Sequence, residues 1–116
     1  MLSECRKALR ITTTDFDDDL CRHMNAAAID LKIAGVVLPG TVSFTVTTSG
    51  ITDTSTLTDD LCRQAIFSYV DWMFHKNAPN VEAREKIYNI QKTQLMHASD
   101  YTDYGDEPDE DEEGDG

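Results

Sequence analysis

The chain has 116 residues, 40% of them hydrophobic and 28% charged, with a formal charge of −12. That length fits one domain with a small core; no run of 18 apolar residues offers a membrane span, and Met1-Leu2-Ser3-Glu4 lacks the basic flank and apolar region of a secretion signal, so a soluble, non-secreted protein is expected. Ten acids and no base lie between Asp100 and Gly116, leaving twelve acids against ten scattered bases in residues 1–99, which argues against a stand-alone DNA-binding surface and assigns the acidity to a tail.

Leu2, Cys5 and Leu9 recur at helical spacing and predict a short opening helix, with Ser3 as N-cap and Arg6, Lys7 and Arg10 complementing the negative end of its dipole. Thr12-Thr13-Thr14 favours a break. Thr14 followed by Asp17 approximates a capping box, with Asp15, Asp17 and Asp18 in the positive first turn of a helix expected over 15–34. Its apolar stripe is Phe16, Leu20, Met24, Ala27, Leu31 and Ala34, of which Leu20, Met24 and Leu31 are assigned to the core, and the small Ala26-Ala27-Ala28 invite close approach by another helix.

Gly35 ends that helix, and Pro39-Gly40 signals a turn. Val42, Phe44 and Val46 then alternate with Thr41, Ser43, Thr45 and Thr47 as in a half-buried strand, and Ser49-Gly50 turns the chain back along Ile51 to Thr56. Residues 41–56 therefore read as an inserted β-hairpin. A two-stranded ribbon is marginal in water and needs the helices or another copy of the chain to cover it, which makes Val42, Phe44, Val46 and Ile51 candidate partner contacts.

Thr58 is expected to cap the central helix, which runs to Asn77. Asp60, Gln64, Ser68, Asp71 and His75 form one narrow polar stripe, expected to face solvent or a channel, while apolar residues cover nearly everything else. Among these, Ala65, Tyr69, Trp72 and Met73 are assigned to the core. After Pro79 a last helix is expected from Val81 to about Ala98, with a looser stripe of Val81, Ile87, Tyr88, Ile90, Leu95 and Met96. Half of it is expected to be exposed or covered only in an assembly, so Tyr88 and Leu95 join the candidate contacts. From Ser99 the periodicity stops, and GDEPDEDEEGDG has no apolar residue, so residues 99–116 are expected to be a disordered acidic tail. The fold class is mainly α: a bundle of about four helices in residues 1–98 with an inserted hairpin.

Catalytic and metal-binding patterns fail one by one. Asp15, Asp17 and Asp19 have the spacing that opens a calcium loop, but Leu20 stands where glycine is needed and Ala26 where a bidentate glutamate is needed. His23, His75 and His97 fall on three different helices, and Cys5, Cys21 and Cys62 form no CxxC pair, so no zinc site and no disulfide are expected. Cys62 lies in the apolar wall of its helix with no glycine-rich turn to supply an oxyanion hole, and the glycines match no phosphate-binding loop. No cofactor, metal or enzymatic activity is expected.

ECRKALRITTTDFDDDLCRHMNAAAIDLKIAG, a variable insert, and LTDDLCRQAIFSYVDWMFHKN together resemble the small head-tail connector, or head-completion, proteins of tailed bacteriophages. The resemblance rests on Leu9-Arg10-Ile11 before an acidic cap, Asp19-Leu20 opening an alanine-containing helix, and a second long helix from an Asp-rich cap to an aromatic, His/Asn-rich end. It covers residues 2–98. It implies a non-enzymatic virion protein, made in the bacterial host cytoplasm, that forms a homo-oligomeric ring, dodecameric in this family, beneath the portal protein. Such a ring extends the channel for double-stranded DNA without sequence-specific binding, docks further connector or tail proteins, and involves no membrane. The hairpin insert and the strongly acidic tail depart from the common pattern of the family. The competing expectation is an acidic, host-directed interaction protein whose tail mimics DNA.

Overall fold

The computed structural model describes residues 1–102. Helix α1 spans Leu2–Leu9, α2 Asp17–Ile33, α3 Asp60–Phe74 and α4 Val81–His97; between α2 and α3 lies a hairpin of β1 Phe44–Thr47 and β2 Gly50–Asp53. The small helical bundle with an inserted hairpin follows the sequence pattern, whereas several helix ends do not.

Ser3 lies inside α1, and the cap arrives from a distance: Asp53 Oδ2, at the end of β2, accepts the Leu2 N–H at 2.9 Å and the terminal amine of Met1 at 2.7 Å. Thr14 does not cap α2: its backbone carbonyl, not its hydroxyl, accepts the Asp17 N–H at 3.2 Å, and the helix begins at Asp17 with Phe16 in the cap position and no side-chain cap. Arg6 Nε donates to Asp17 Oδ1 at 2.9 Å, tying α1 to the start of α2, and Thr13 Oγ1 instead accepts the Asp15 N–H in a local turn. The cap of α3 is Asp59, not Thr58: its Oδ1 accepts the Cys62 N–H at 3.0 Å. That helix stops at Phe74, short of Asn77.

At the other end of α2 the sequence expectation holds in detail. Gly35 takes φ 97°, its N–H donates to the Lys32 carbonyl, and the Val36 N–H donates to the Leu31 carbonyl at 2.9 Å. This is a Schellman closure, with buried Val36 and Leu31 supplying its apolar contact.

Helix α3 is the spine, packed against both α2 and α4, with α1 touching α2 and α3. The fully enclosed residues include Leu20, Met24, Ala27 and Leu31 from α2, and Cys62, Ala65, Ile66 and Val70 from α3. Burying each large aliphatic side chain contributes about 1.5–3 kcal/mol, which compensates for the ordering of a short chain. Tyr69, Trp72 and Met73, assigned to the core from sequence, are only partly buried. The aromatic centre belongs to α4: Tyr88 is 1% exposed and packs against Tyr69 and Trp72 at ring separations of 5.1 and 6.0 Å. Its hydroxyl donates to Asp30 Oδ2 at 2.5 Å, bonding α4 to α2, and Lys92 Nζ donates to the same oxygen at 3.2 Å.

The hairpin is antiparallel, with Phe44 opposite Asp53 and Val46 opposite Ile51. Of its strand residues only Phe44 and Ile51 are half-buried. Val42, Phe44 and Ile51 pack against the core, Ile51 from the turn end of the hairpin, whereas its cross-strand partner Val46 is 67% exposed. Residues 99–102 also differ from expectation. Ser99–Tyr101 forms a 3-10 turn, the Tyr101 carbonyl accepts the Val37 N–H at 2.6 Å, and Thr102 makes a β-bridge with Val36. The remainder of the expected tail, 103–116, lies outside the described residues.

Candidate functional site

The polar stripe of α3 is open at its start and meets α4 toward its end. Asp60 and Gln64 are exposed, but Ser68, Asp71 and His75 are half-buried. Asp71 Oδ2 accepts from Arg84 Nε of α4 at 3.1 Å, and His75 Nδ1 stands 3.0 Å from both the carbonyl and Oδ1 of Asp71. Nearer the start of α3, Gln64 shares a cavity of about 100 Å³ with Leu61, Gln91, Gln94, Leu95 and Tyr101. Half of the stripe is thus a helix-to-helix contact.

Of the candidate partner contacts, Tyr88 and Leu95 are turned inward, at 1% and 3% exposure, because α4 presents its 88/92/95 edge to α2 and α3. Val46 stands free on the hairpin, whereas Val42, Phe44 and Ile51 are half-buried against the core. The outward apolar surface comes from residues outside the predicted stripes or set aside within them: Ile29, Ile33 and Val37 around the end of α2, and Leu61, Ile87 and Ile90 on α3 and α4, each about half exposed or more. The signal was present. Ile29 and Ile33 are β-branched apolar residues that fall off the 20/24/27/31 stripe of their own helix.

The first of these sets borders a depression. Between the C-terminal half of α2 and residues 35–42 lies a cavity of about 640 Å³, lined chiefly by Ala28, Ile29, Lys32, Val37, Leu38 and Val42. Lys32 is its only charged wall and makes no ion pair among the described residues. Position in the fold explains the groove: the Schellman turn sends the chain away from α2, and the loop returns alongside it to enter the hairpin.

A second arrangement that sequence reading missed closes the C-terminal end. Tyr101 Oη donates to Asp59 Oδ2 at 2.7 Å, while Oδ1 of the same carboxylate caps α3. The Cys62 N–H, with the phenol second, holds the Asp59 carboxyl below its usual range, and Asp59 in turn pushes the phenol up to about 12. The signal was faint, since one tyrosine among acids has no periodicity.

Nucleophilic chemistry has no support among the described residues. Burial pushes the thiols of Cys5 and Cys62 up to about 12 and that of Cys21 to about 11, so they stay protonated and unreactive at neutral pH. Burial also lowers His23. Among the described residues no group of three His, Cys, Asp or Glu side chains is placed to hold a metal ion, and no helix is long and apolar enough to cross a membrane.

What this geometry offers is surface: a helical body with a projecting hairpin, an apolar groove and an apolar ridge. Exposed apolar surface of this kind marks sites for packing against other proteins. The phage connector protein family matches residues 1–102, and the chain belongs to that family. No curated protein and no solved structure matches the chain. Membership gives it a structural head-tail connector role in the virion, assembled with other head and tail proteins, in a family that is typically non-enzymatic.

Proposed function

We infer that the chain is one subunit of a ring that seats beneath the portal of the filled capsid, prolongs the DNA channel and presents a platform to the next connector or to the tail. The observation that carries this reading is the extent of the family match, which takes in every described residue, hairpin and C-terminal turn included. Ring subunits need lateral contacts in which two different surfaces meet, and exposed apolar groups on separate faces, among them Val46 and Ile90, support that requirement. Twelve copies is the expectation carried by the family resemblance, and synthesis in the host cytoplasm goes with it. Acidic groups such as Asp60 at the exposed end of the α3 stripe suit a channel wall, because they repel passing phosphates and leave DNA free to slide.

The test is electron microscopy of the purified chain mixed with portal-bearing capsids. Added ring density at the portal vertex is the expected result. Unchanged portals would remove the reading and favour the host-directed alternative, in which deletion of residues 103–116 abolishes activity and spares the fold.

A further inference from the structure

We propose that the groove beside α2 receives the outer face of α4 from a second copy of this chain, so that copies join head to tail through two different surfaces. The inference rests on the self-association proposed above and specifies where it occurs.

Three observations converge. First, both surfaces carry large exposed apolar side chains that have no cover within the described residues. The groove exposes Ile29 at 58% and Val37 at 46%, and α4 exposes Ile87 and Ile90 at 51% each, one turn apart on one face. Second, they point in opposite directions. Asp30 and Tyr88 bond α2 to α4. Lys32 lies two residues from Asp30 and Ile90 two residues from Tyr88, so each sits about 160° round its own helix from that bond. The groove therefore opens away from α4 and the ridge faces away from α2, and one copy can offer both at once without folding on itself. Third, the charges complement each other. The groove carries Lys32 alone, whereas the outer face of α4 carries Glu82 and Glu85 against Lys86, and neither Lys32 nor the two glutamates is ion-paired among the described residues.

A contact between unlike surfaces leaves one groove and one ridge free after every addition, and it propagates until it closes on itself. This gives a test with distinct failures. Wild type, I29D, I90D and an equal mixture of the two variants are compared by sedimentation at concentrations up to about 1 mM, a range that reaches weak contacts. Circular dichroism verifies that each variant folds, as expected for exposed positions. Wild type should form oligomers larger than dimers, and each variant alone should associate about tenfold more weakly or worse. The mixture should form dimers and stop there, because the I29D copy keeps its ridge and the I90D copy keeps its groove.

Charge reversal supplies an independent arm: K32E should weaken assembly, and K32E combined with E82K and E85K should restore it. If wild type associates and both single variants associate equally well, this contact is wrong while self-association stands. If the mixture yields no dimer, or the triple variant shows no rescue, the pairing of these two surfaces is wrong. A wild-type chain that stays monomeric throughout overturns this contact, whereas the ring itself is judged by the portal experiment above.

Discussion

Tyr101 and Asp59 are 42 residues apart, yet the phenol of one donates to the carboxylate of the other at 2.7 Å. A single side chain thus caps the central helix with one oxygen and fastens the C-terminal turn with the other. Removing the hydroxyl in Y101F should lower the urea midpoint modestly. Asp59→Ala, which removes the cap as well, should cost about 1–2 kcal/mol. The pH dependence separates the two roles. The Asp59 carboxyl is lowered in the folded state, so its contribution is present above the unfolded carboxylate range near about 4 and is lost as pH falls through the lower folded value. Y101F should make that acid loss shallower. The raised phenol works at the other end: its contribution is complete below about 10 and lost as pH rises through the folded value of about 12, and Y101F should abolish this alkaline arm.

Asp53 joins the hairpin to α1. Burial alone would raise its carboxyl, but hydrogen bonds from the Met1 amine and from the Leu2 and Ser55 N–H groups outweigh it and bring the value down to about 2. Stability from Asp53 should therefore be present above about pH 4 and disappear as pH falls toward 2. Asn at this position should flatten the acid limb of the urea midpoint between those values. In amide exchange it should also expose the Leu2–Cys5 turn first.

Tyr88 rather than Trp72 should be the sensitive aromatic. Trp72 is partly exposed, so W72A should cost about 2 kcal/mol, less than full burial of an indole implies. Tyr88→Ala should cost about 3–5 kcal/mol. Tyr88→Phe, which keeps the ring and deletes only the bond to Asp30, should cost about 1–2 kcal/mol. If W72A proved the more damaging in thermal or urea unfolding, the packing order drawn around α4 would be wrong.

Gly40 and Gly50 should respond differently to alanine. A Cβ on Gly40 would lie 2.7 Å from the Leu57 Cα and 2.8 Å from its amide nitrogen, so backbone must move, and G40A should cost about 1–3 kcal/mol. At Gly50 there is open space, but φ is 133°, so the cost there is torsional and stays within the hairpin. Circular dichroism melts of G40A and G50A should show the whole fold weakened by the first alone.

Periodicity carried the architecture into view, because a helix stripe such as 20/24/27/31 and a strand alternation such as 42/44/46 are local patterns. What stayed hidden depends on distant partners. Nothing near Ser3 announces that α1 is capped by Asp53, and nothing near Asp17 shows that Arg6 will claim its carboxylate. Tyr88 illustrates the same limit within a helix: its stripe was too loose to assign an inner face, and the Asp30 bond decided it. Of the surface, Val46 was readable as an unprotected strand position. The groove was not, since it exists only where the 35–42 loop comes to lie beside Ile29.

Cys5, Cys21 and Cys62 belong one each to α1, α2 and α3, all enclosed and all shifted upward by burial. The native chain therefore carries its own set of clocks. A thiol-directed alkylating reagent marks each helix only when that helix opens, and the order in which the three sites are labelled reads out which part of the bundle lets go first.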